Sequence, residues 1–181
     1  MSTPAEGLVH LIGFRGSGKS RVARELGARL GWEVIDIDQV IQESTSRSIA
    51  EIFRDRGEEG FRDLEERALA EACAGSGPTV VATGGGCVVR PANVKLLRST
   101  GVVVWLEISP AESRRRLAAD PASPSQRPPL RDGDALLEIE EVLGRRIPLY
   151  AAACHLRVPT DGRMVPEIVA TIMQDLASRS R

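Results

Sequence analysis

The residues best suited to chemistry lie near the start of the chain, where three glycines accompany a lysine and two serines. Residues 13–20 read GFRGSGKS and fit the pattern G-x-x-x-x-G-K-[ST], whose backbone N–H groups wrap a polyphosphate. Lys19 offers a positive charge to β- and γ-phosphate oxygens, and the hydroxyl of Ser20 can join the coordination shell of Mg²⁺. The nucleotide is therefore expected to contact Gly16, Ser17, Gly18, Lys19 and Ser20.

A nucleotide-binding loop of this kind lies between a strand and a helix, and the segments on either side of it have these two patterns. The run LVHLI at residues 8–12 is apolar and strand-like, and residues 21–30 place Val22, Leu26 and Leu30 on one helical face. A helix that starts near the end of the loop directs the positive end of its dipole at the same anion. This strand–loop–helix context favours a nucleotide-binding loop over a chance match.

Two carboxylates, Asp36 and Asp38, end the next strand-like segment. Residues i and i+2 of a strand point to the same face, and the carboxyl ends of parallel strands line the ligand crevice of an open sheet. We therefore expect both side chains beside the phosphate loop, one near the water shell of Mg²⁺ and the other accepting a hydrogen bond from a substrate hydroxyl. The alternative is that Asp38 caps a helix over residues 39–44.

Three consecutive glycines, Gly84, Gly85 and Gly86, follow the third strand-like segment. Because they have no side chains, their backbone N–H groups can approach a ligand closely. A flexible turn is the alternative interpretation. Their expected place at the carboxyl edge of the sheet favours contact with a ligand.

Strand-like and helix-like segments alternate along the chain, a pattern that predicts a parallel sheet with helices on both faces. Five short apolar segments are predicted as strands, at residues 8–12, 33–37, 79–82, 102–106 and 154–158. Besides the helix after the loop, helices are predicted at residues 48–55, 57–73, 91–99, 110–119, 134–152 and 164–178. The expected fold class is α/β, with three layers in the order α/β/α.

Length and composition bound the class of protein. The 181 residues suit one domain over residues 1–181, and a net charge of −1 with 3% aromatic residues argues against binding to nucleic acid. No apolar stretch approaches the roughly 20 residues of a membrane helix, and residues 1–7 lack the regions of a signal peptide. We expect a cytoplasmic monomer without membrane contact.

The cysteines and histidines are expected to have structural roles. Cys73, Cys87 and Cys154 are odd in number and widely spaced, which argues against disulfides and zinc and favours burial as small apolar side chains. His10 and His155 lie in predicted strands, and neither has a suitably spaced carboxylate partner. Paired sheet histidines are therefore expected rather than catalytic ones.

Several motifs in a fixed order resemble those of shikimate kinase, from about Leu8 to about Thr160. They are GFRGSGKS at 13–20, Asp36-x-Asp38, SIAEIF at 48–53, Gly57-Glu58-x-x-Phe61-Arg62-x-x-Glu65, the glycines at 84–86, Arg127-Pro128 and Arg146-x-Pro148-Leu149-Tyr150. The resemblance implies a P-loop fold like that of nucleoside monophosphate kinases, with a five-stranded parallel sheet and a mobile lid. It also implies transfer of the γ-phosphoryl group of ATP to the 3-hydroxyl of shikimate, a step toward aromatic amino acids.

The same resemblance assigns roles to the matching residues. Lys19 would contact phosphates, Ser20 would bind Mg²⁺ and Asp36 would hold that ion through water. Catalysis would rest on Lys19, Asp38 and Arg127. Residues 38–66 would form the acceptor-binding segment, and the shikimate pocket would be lined by Asp38, Arg62, Gly84, Gly85, Gly86 and Arg146, with Glu65 bracing the arginine.

The roles assigned to the arginines depend most on the resemblance. From the residues alone, Arg62, Arg127 and Arg146 could each be a solvated surface charge. The proline-rich segment at about residues 120–133 would be the lid, and its Arg127 would reach the ATP phosphates. Arg116 is the best match to the arginine that the family places against adenine, with a surface charge cluster as the alternative. Arg21 stands where a threonine is common in the family, and it is expected beside the nucleotide.

Two other functions stay open at this point. Another P-loop small-molecule kinase, such as a gluconate kinase, would also bind one carboxylate and several hydroxyls. The combination of Phe61-Arg62-x-x-Glu65 with the glycines at 84–86 favours shikimate. The second alternative is a regulatory ATP-binding homologue without catalysis, although every residue that the chemistry needs is present. ATP and shikimate are thus the expected ligands, with Mg²⁺ as cofactor.

Overall fold

The computed structural model of the chain describes residues 7–120 and 135–179. The strands in these ranges are β1 (Leu8–Ile12), β2 (Glu33–Asp36), β3 (Thr79–Ala82), β4 (Gly101–Glu107) and β5 (Leu156–Pro159). The α-helices are α1 (Lys19–Leu30), α2 (Ile37–Thr45), α3 (Ile49–Cys73), α4 (Pro91–Thr100), α5 (Pro110–Ala119), α6 (Ala135–Ala153) and α7 (Val165–Arg179). A short 3₁₀ helix, Cys87–Val89, lies between β3 and α4.

All neighbouring strands run parallel, in the order β2-β3-β1-β4-β5. Parallel strands need crossover connections, and here these connections place helices on both faces of the sheet. Alternate residues of β1 face opposite layers. Leu8 and Ile12 pack in a core with α2, α3, α4 and α6, whereas Val9 and Leu11 pack in a second core with α1 and α7. The three-layer α/β/α fold and its five-stranded parallel sheet are confirmed.

Several element boundaries differ from the sequence prediction. The pattern predicts a second strand over residues 33–37, but the strand ends at Asp36, whose side chain caps α2. The fifth strand begins at Leu156 rather than at Cys154. The helices predicted at 48–55 and 57–73 form a single element, α3, which is interrupted at Gly57 with φ 68° and ψ −176°. That conformation is essentially limited to glycine.

The sheet topology brings the predicted site segments to one edge. The carboxyl end of β1 leads into the phosphate loop, that of β2 into Asp36, and that of β3 into the glycine turn at residues 84–86. Because β3 lies between β2 and β1 in the sheet, these three segments are neighbours. A crevice at the carboxyl ends of the strands is the usual ligand site of such sheets.

The predicted lid falls almost entirely outside the described residues, and so does its Arg127. Of the lid, the structure describes only Asp120, the residue that follows α5. Its motion and the role of Arg127 stay predictions. Among the helices of the described ranges, none is long and apolar enough to cross a membrane.

Both histidines have hydrogen-bond partners, as expected, but only His10 lies in a strand, because His155 directly precedes β5. Nε2 of His10 lies 2.9 Å from Oγ1 of Thr100, and Nδ1 of His155 accepts a hydrogen bond from the Val103 N–H at 3.0 Å. Burial, with repulsion from His155 as a smaller cause, lowers the pKa of His10 to about 4.

The expected burial of the three cysteines is confirmed for one of them only. Cys87 is fully buried, and burial raises the pKa of its thiol well above the usual value. Cys73 and Cys154 meet the expectation only in part, because they pack against the core but are partly exposed. Both lie where a helix ends, Cys73 as the last residue of α3 and Cys154 directly after α6, and there the packed layers give way to surface turns.

Candidate active site

The phosphate-binding loop runs from the end of β1 into α1. Gly13, Gly16 and Gly18 have φ values of 146°, 78° and 91°, a region that residues with a Cβ rarely adopt. Helix α1 begins at Lys19 with Gly18 as its N-cap. The N–H groups of its first turn and the positive end of its dipole therefore face the loop. The predicted strand–loop–helix arrangement is confirmed.

The ammonium group of Lys19 lies within the curve of this loop. Its Nζ donates hydrogen bonds to the carbonyl oxygens of Gly13 at 2.8 Å and Phe14 at 3.0 Å, and it lies 3.4 Å from Oγ of Ser17. The positive charge is thus held where a phosphate cradled by the loop N–H groups would meet it.

Helix α5 holds the outer side of the loop through two backbone carbonyls. Oγ of Ser113 donates to the carbonyl of Arg15 at 3.0 Å, and Nη1 of Arg116 donates to that of Gly16 at 3.2 Å. Nη2 of Arg116 also donates to the carbonyl of Thr160, just after β5, at 2.8 Å. Because C=O and N–H point in opposite directions across a trans peptide, bonds on these carbonyls fix the direction of the following N–H groups.

Glu112 in turn fixes the guanidinium of Arg116. Its carboxylate accepts hydrogen bonds from Nε of Arg115 at 2.6 Å and from Nε of Arg116 at 2.7 Å. These hydrogen bonds lower the pKa of Glu112 to about 2, and those from Arg115 have a larger effect than those from Arg116. Neither the sequence motifs nor the resemblance gives Glu112 a role, although an acid and an arginine four residues apart on a helix are a usable signal.

Ser20 and Asp36 meet beside the loop, with Oγ of Ser20 donating to Oδ2 of Asp36 at 2.5 Å. The other oxygen of Asp36 accepts from the N–H of Asp38 at 3.1 Å and from that of Gln39 at 3.4 Å, which starts α2. Asp38 therefore lies in the first turn of a helix. The expectation that both carboxylates share a strand face is wrong, and Asp36 rather than Asp38 is the cap. Both residues nevertheless line one crevice.

A buried ion pair stands on the second half of α3. Nη1 of Arg62 lies 2.6 Å from Oε2 of Glu65, and the two side chains are 4% and 0% exposed. Nη2 of Arg62 also donates to Oε1 of Glu58 at 3.2 Å. Burial by itself lowers the pKa of the Arg62 guanidinium, but attraction to Glu65 and hydrogen bonds to both carboxylates outweigh burial and raise it. Arg62 is therefore a permanent, fixed positive charge.

The glycine turn at residues 84–86 packs against this pair so closely that side chains are excluded. A Cβ on Gly84 would lie 2.2 Å from Oε1 of Glu65 and 3.0 Å from Oδ1 of Asp38, and one on Gly86 would lie 2.0 Å from Nη2 of Arg62. Gly86 has an ordinary φ of −105°, so close approach and not a left-handed backbone makes glycine necessary there. The turn thus joins Asp38 to the Arg62–Glu65 pair.

Helix α6 approaches the same turn from the other side. Nη1 of Arg146 donates to the carbonyl oxygen of Gly85 at 3.3 Å, and the hydroxyl of Tyr150 donates to the same oxygen at 2.5 Å. The guanidinium of Arg146 also lies over the ring of Phe14 in the phosphate loop, 5.8 Å from its centroid. One arginine therefore contacts both the glycine turn and the loop.

Most of the predicted site residues line a single crevice of about 2040 Å³ at the carboxyl edge of the sheet. Its lining includes Gly16, Ser17, Gly18, Lys19, Ser20, Arg21, Asp36, Asp38, Gly85 and Arg116. Arg62, Gly84, Gly86 and Arg146 are not among the lining residues, but Gly84 approaches Asp38, Gly86 approaches Arg62 and Arg146 donates to Gly85. Arg127 lies outside the described residues.

Besides Glu112, sequence reasoning missed two residues that shape this site. Tyr150 belongs to the Arg146-x-Pro148-Leu149-Tyr150 motif, but nothing in the motif tells that its hydroxyl reaches a turn 65 residues away. Ser113 stands among arginines and carries no recognisable signal, yet it is buried and bonded to the loop.

Comparison with known proteins agrees with this geometry. The family model for shikimate kinase matches residues 15–177. The chain is 41% identical over 169 residues to the shikimate kinase of Symbiobacterium thermophilum, covering 93% of this chain and 95% of that protein. The structure of Acinetobacter baumannii shikimate kinase in complex with shikimate superposes with a TM-score of 0.88 at 29% identity, covering 96% and 94% of the two chains.

A gluconokinase from Sinorhizobium meliloti is a more distant match. It superposes with a TM-score of 0.58 at 19% identity, covering 96% of this chain and 93% of the gluconokinase. At that identity the likeness concerns the fold alone.

Proposed function

The chain belongs to the shikimate kinase family, and on that premise we propose how it transfers the γ-phosphoryl group of ATP to the 3-hydroxyl of shikimate. The products are shikimate 3-phosphate and ADP. One observation carries the proposal. A phosphate loop and a buried arginine–glutamate pair meet at one edge of the sheet, with Asp38 and the glycine turn between them. A donor site for phosphate thus adjoins an acceptor site for an anion that bears hydroxyls.

The loop half of the site would bind ATP. Backbone N–H groups from Gly16 to Ser20 would hold the β- and γ-phosphates at the N-terminus of α1. Lys19 would neutralise negative charge on the phosphoryl group as it moves. Arg116, which Glu112 and two backbone carbonyls hold beside the loop, would flank the nucleotide together with Arg21.

Ser20 and Asp36 fit the requirements of Mg²⁺, a hard cation that prefers oxygen ligands and keeps several waters. Their side chains already lie within hydrogen-bond distance of each other at the edge of the loop. Among the described residues no cluster of three or more histidine, cysteine, aspartate or glutamate side chains could hold a metal. Two protein groups, one of them acting through water, therefore suit an ion completed by phosphate oxygens. When bound, Mg²⁺ neutralises the β- and γ-phosphates.

The other half of the site would bind shikimate. Arg62 and Arg146 suit its carboxylate, because a guanidinium forms forked, charge-assisted hydrogen bonds with a carboxylate. Glu65 would brace Arg62 in the required direction, as its 2.6 Å contact indicates. Asp38 would accept a hydrogen bond from the reacting hydroxyl, and the glycine turn would leave room for the ring.

Transfer needs positioning and charge neutralisation more than covalent chemistry by the protein. The two half-sites would hold the hydroxyl in line with the γ-phosphoryl group, with Lys19 and Asp38 on either side of the transfer. From the resemblance, residues 120–133 would close as a lid and bring Arg127 to the phosphates. We propose that this lid and the acceptor segment at residues 38–66 are parts of one domain.

A panel of acceptors tests this function. Release of ADP from Mg²⁺-ATP should be fast with shikimate and slow with quinate, gluconate or nucleoside monophosphates. Fast turnover with gluconate instead would favour a gluconate kinase. ATP binding without turnover on any acceptor would favour a regulatory role.

A further inference from the structure

Tyr150 is a buried polar residue that the proposed mechanism does not yet use. It is 1% exposed, and its ring stacks on that of Trp105 with centroids 5.7 Å apart and planes 25° apart. Its hydroxyl donates to the carbonyl oxygen of Gly85 at 2.5 Å. Because the ring is buried and stacked on Trp105 of β4, the hydroxyl is a fixed donor rather than a mobile one.

This contact sets the orientation of the peptide between Gly85 and Gly86. No cis peptide occurs among the described residues, so the Gly85 carbonyl and the Gly86 N–H point in opposite directions across a planar group. The carbonyl points toward α6, and the N–H points away from Tyr150. Gly86 also lies close to Arg62, since a Cβ on Gly86 would lie 2.0 Å from Nη2.

A second donor shares the Gly85 carbonyl. Nη1 of Arg146 lies 3.3 Å from that oxygen, a longer contact than the 2.5 Å of Tyr150. In the proposed function, Arg146 has to turn its guanidinium to the carboxylate of the acceptor. A buried carbonyl that loses its donor is destabilising, so the turn needs a donor that stays in place. Tyr150 meets this requirement.

We propose that Tyr150 is a positioning residue for the acceptor. Its hydroxyl holds the Gly85–Gly86 peptide in the orientation that the pocket needs and leaves Arg146 available for the acceptor carboxylate. It touches neither substrate nor nucleotide. This inference rests on the proposed function, because it concerns the same pocket.

The substitution Tyr150→Phe removes the hydroxyl and keeps the stacked ring. Arg146 must then satisfy both the Gly85 carbonyl and the acceptor carboxylate. The KM for shikimate should rise about tenfold, the effect of roughly one buried hydrogen bond, while the KM for ATP should change less than about twofold. Steady-state kinetics with each substrate varied in turn measures both constants.

Thr100→Val provides a matched control. It also removes one partly buried hydroxyl, which donates to the carbonyl of Leu96 at 2.8 Å and lies 2.9 Å from Nε2 of His10, but at the end of α4 and away from the crevice. This variant should lose a similar amount of stability and keep both KM values. A general weakening of the fold would affect both variants alike, whereas a positioning role would affect Tyr150→Phe alone.

Hydrogen exchange keeps the inference testable apart from the kinase activity. The N–H groups of residues 84–86 should exchange faster in Tyr150→Phe than in the wild type, even in the absence of substrates. If the wild type fails to phosphorylate shikimate, the proposed function is wrong. Hydrogen exchange then still tests whether the Tyr150 hydroxyl fixes the Gly85–Gly86 peptide. A variant with wild-type exchange and a wild-type KM for shikimate, or one whose two KM values rise together, would overturn the role of Tyr150.

Discussion

At the carboxyl end of the sheet, polar side chains surround an open crevice, whereas in its amino half polar side chains are bonded to one another inside the protein. Ser20, Asp36 and Arg116 belong to the first region and line the crevice. His10 and Thr100 belong to the second, where they lie 2.9 Å apart. We therefore expect groups of similar chemistry to serve ligands in one region and stability in the other.

The direction of the strands explains the difference. In a parallel sheet the N-termini of the following helices gather at the carboxyl edge, where their N–H groups attract anions. Close backbone approach, as at Gly84 and Gly86, keeps this edge free of side chains that would fill it. At the amino edge the chain enters the strands from the C-terminal ends of helices. A histidine that is buried there has to be neutral and hydrogen bonded, because burying an unpaired charge or polar group is costly. Substitutions in the two regions should therefore separate activity from stability.

The largest effect is expected from Lys19→Ala in the carboxyl region. Turnover should fall about 10³-fold, because a fixed charge on the transferred group is removed. The free energy of unfolding should change by only about 1 kcal/mol, since Lys19 stabilises the fold mainly through hydrogen bonds to loop oxygens. Kinase assays and urea unfolding measure the two quantities. Lys95→Ala, which removes an exposed lysine on α4, is the matched control and should leave both unchanged.

Arg62→Ala should affect both activity and stability, because Arg62 is assigned to the proposed acceptor site and its side chain is buried. Its removal takes away the cation that lies 2.6 Å from the buried carboxylate of Glu65, which should cost about 3–5 kcal/mol of stability. Shikimate binding, measured by calorimetry, should be lost while ATP binding remains. Arg62→Lys should recover more stability than binding, since an ammonium keeps the charge but not the planar fork. Equal loss of ATP and shikimate binding in folded protein would contradict the acceptor assignment.

In the amino half, His10 should make stability depend on pH. Its pKa falls from 6.5 in the unfolded chain to about 4 in the folded protein, so between these values only the unfolded chain takes up a proton. Stability is therefore full above pH 6.5 and should decrease by roughly 3 kcal/mol as the pH falls toward 4. Urea unfolding at pH 7 and pH 4.5 measures the loss. His10→Gln should flatten this part of the profile, and an unchanged profile would show that other groups cause it.

The smallest effect is expected from Ser113→Ala. The change removes the hydrogen bond from α5 to the carbonyl of Arg15, which is worth about 1 kcal/mol. The Kd for ATP should rise about fivefold without a change in the KM for shikimate. Ser99→Ala, on the exposed side of α4, removes a comparable bond to the carbonyl of Leu96 and is the control. Equal ATP affinity in both variants would mean that α5 does not hold the loop.

Local parts of the site can be predicted from the sequence, and parts that depend on tertiary contacts cannot. The glycines and Lys19 of the phosphate loop act through neighbouring residues, so their spacing alone predicts the conformation. The sequence pattern places Asp38 on a strand, because alternation does not tell where a strand ends. The cap formed by Asp36 starts the helix at Ile37, two residues earlier than the helix that the sequence suggests at residues 39–44.

Contacts between distant segments leave no trace in the spacing of residues. The glycines at 84–86 suggest a bare turn, but the reason for them is the approach of Arg62 and Glu65 from α3. The resemblance indicates Arg62 as a site residue, yet it gives no role to Tyr150, whose bond to Gly85 joins positions 65 residues apart. Arg116 can be placed near the nucleotide only by analogy, and its bonds to Gly16 and Thr160 depend on how α5 packs.

The most direct test of the account is ³¹P NMR of the reaction with Mg²⁺-ATP and shikimate. The two half-sites at the carboxyl edge predict equal amounts of ADP and a single phosphorylated product, whose phosphorus signal couples to the proton on carbon 3 of the shikimate ring. Inorganic phosphate with unchanged shikimate, or phosphate on a different hydroxyl, would contradict the proposed alignment of the acceptor with the phosphate loop.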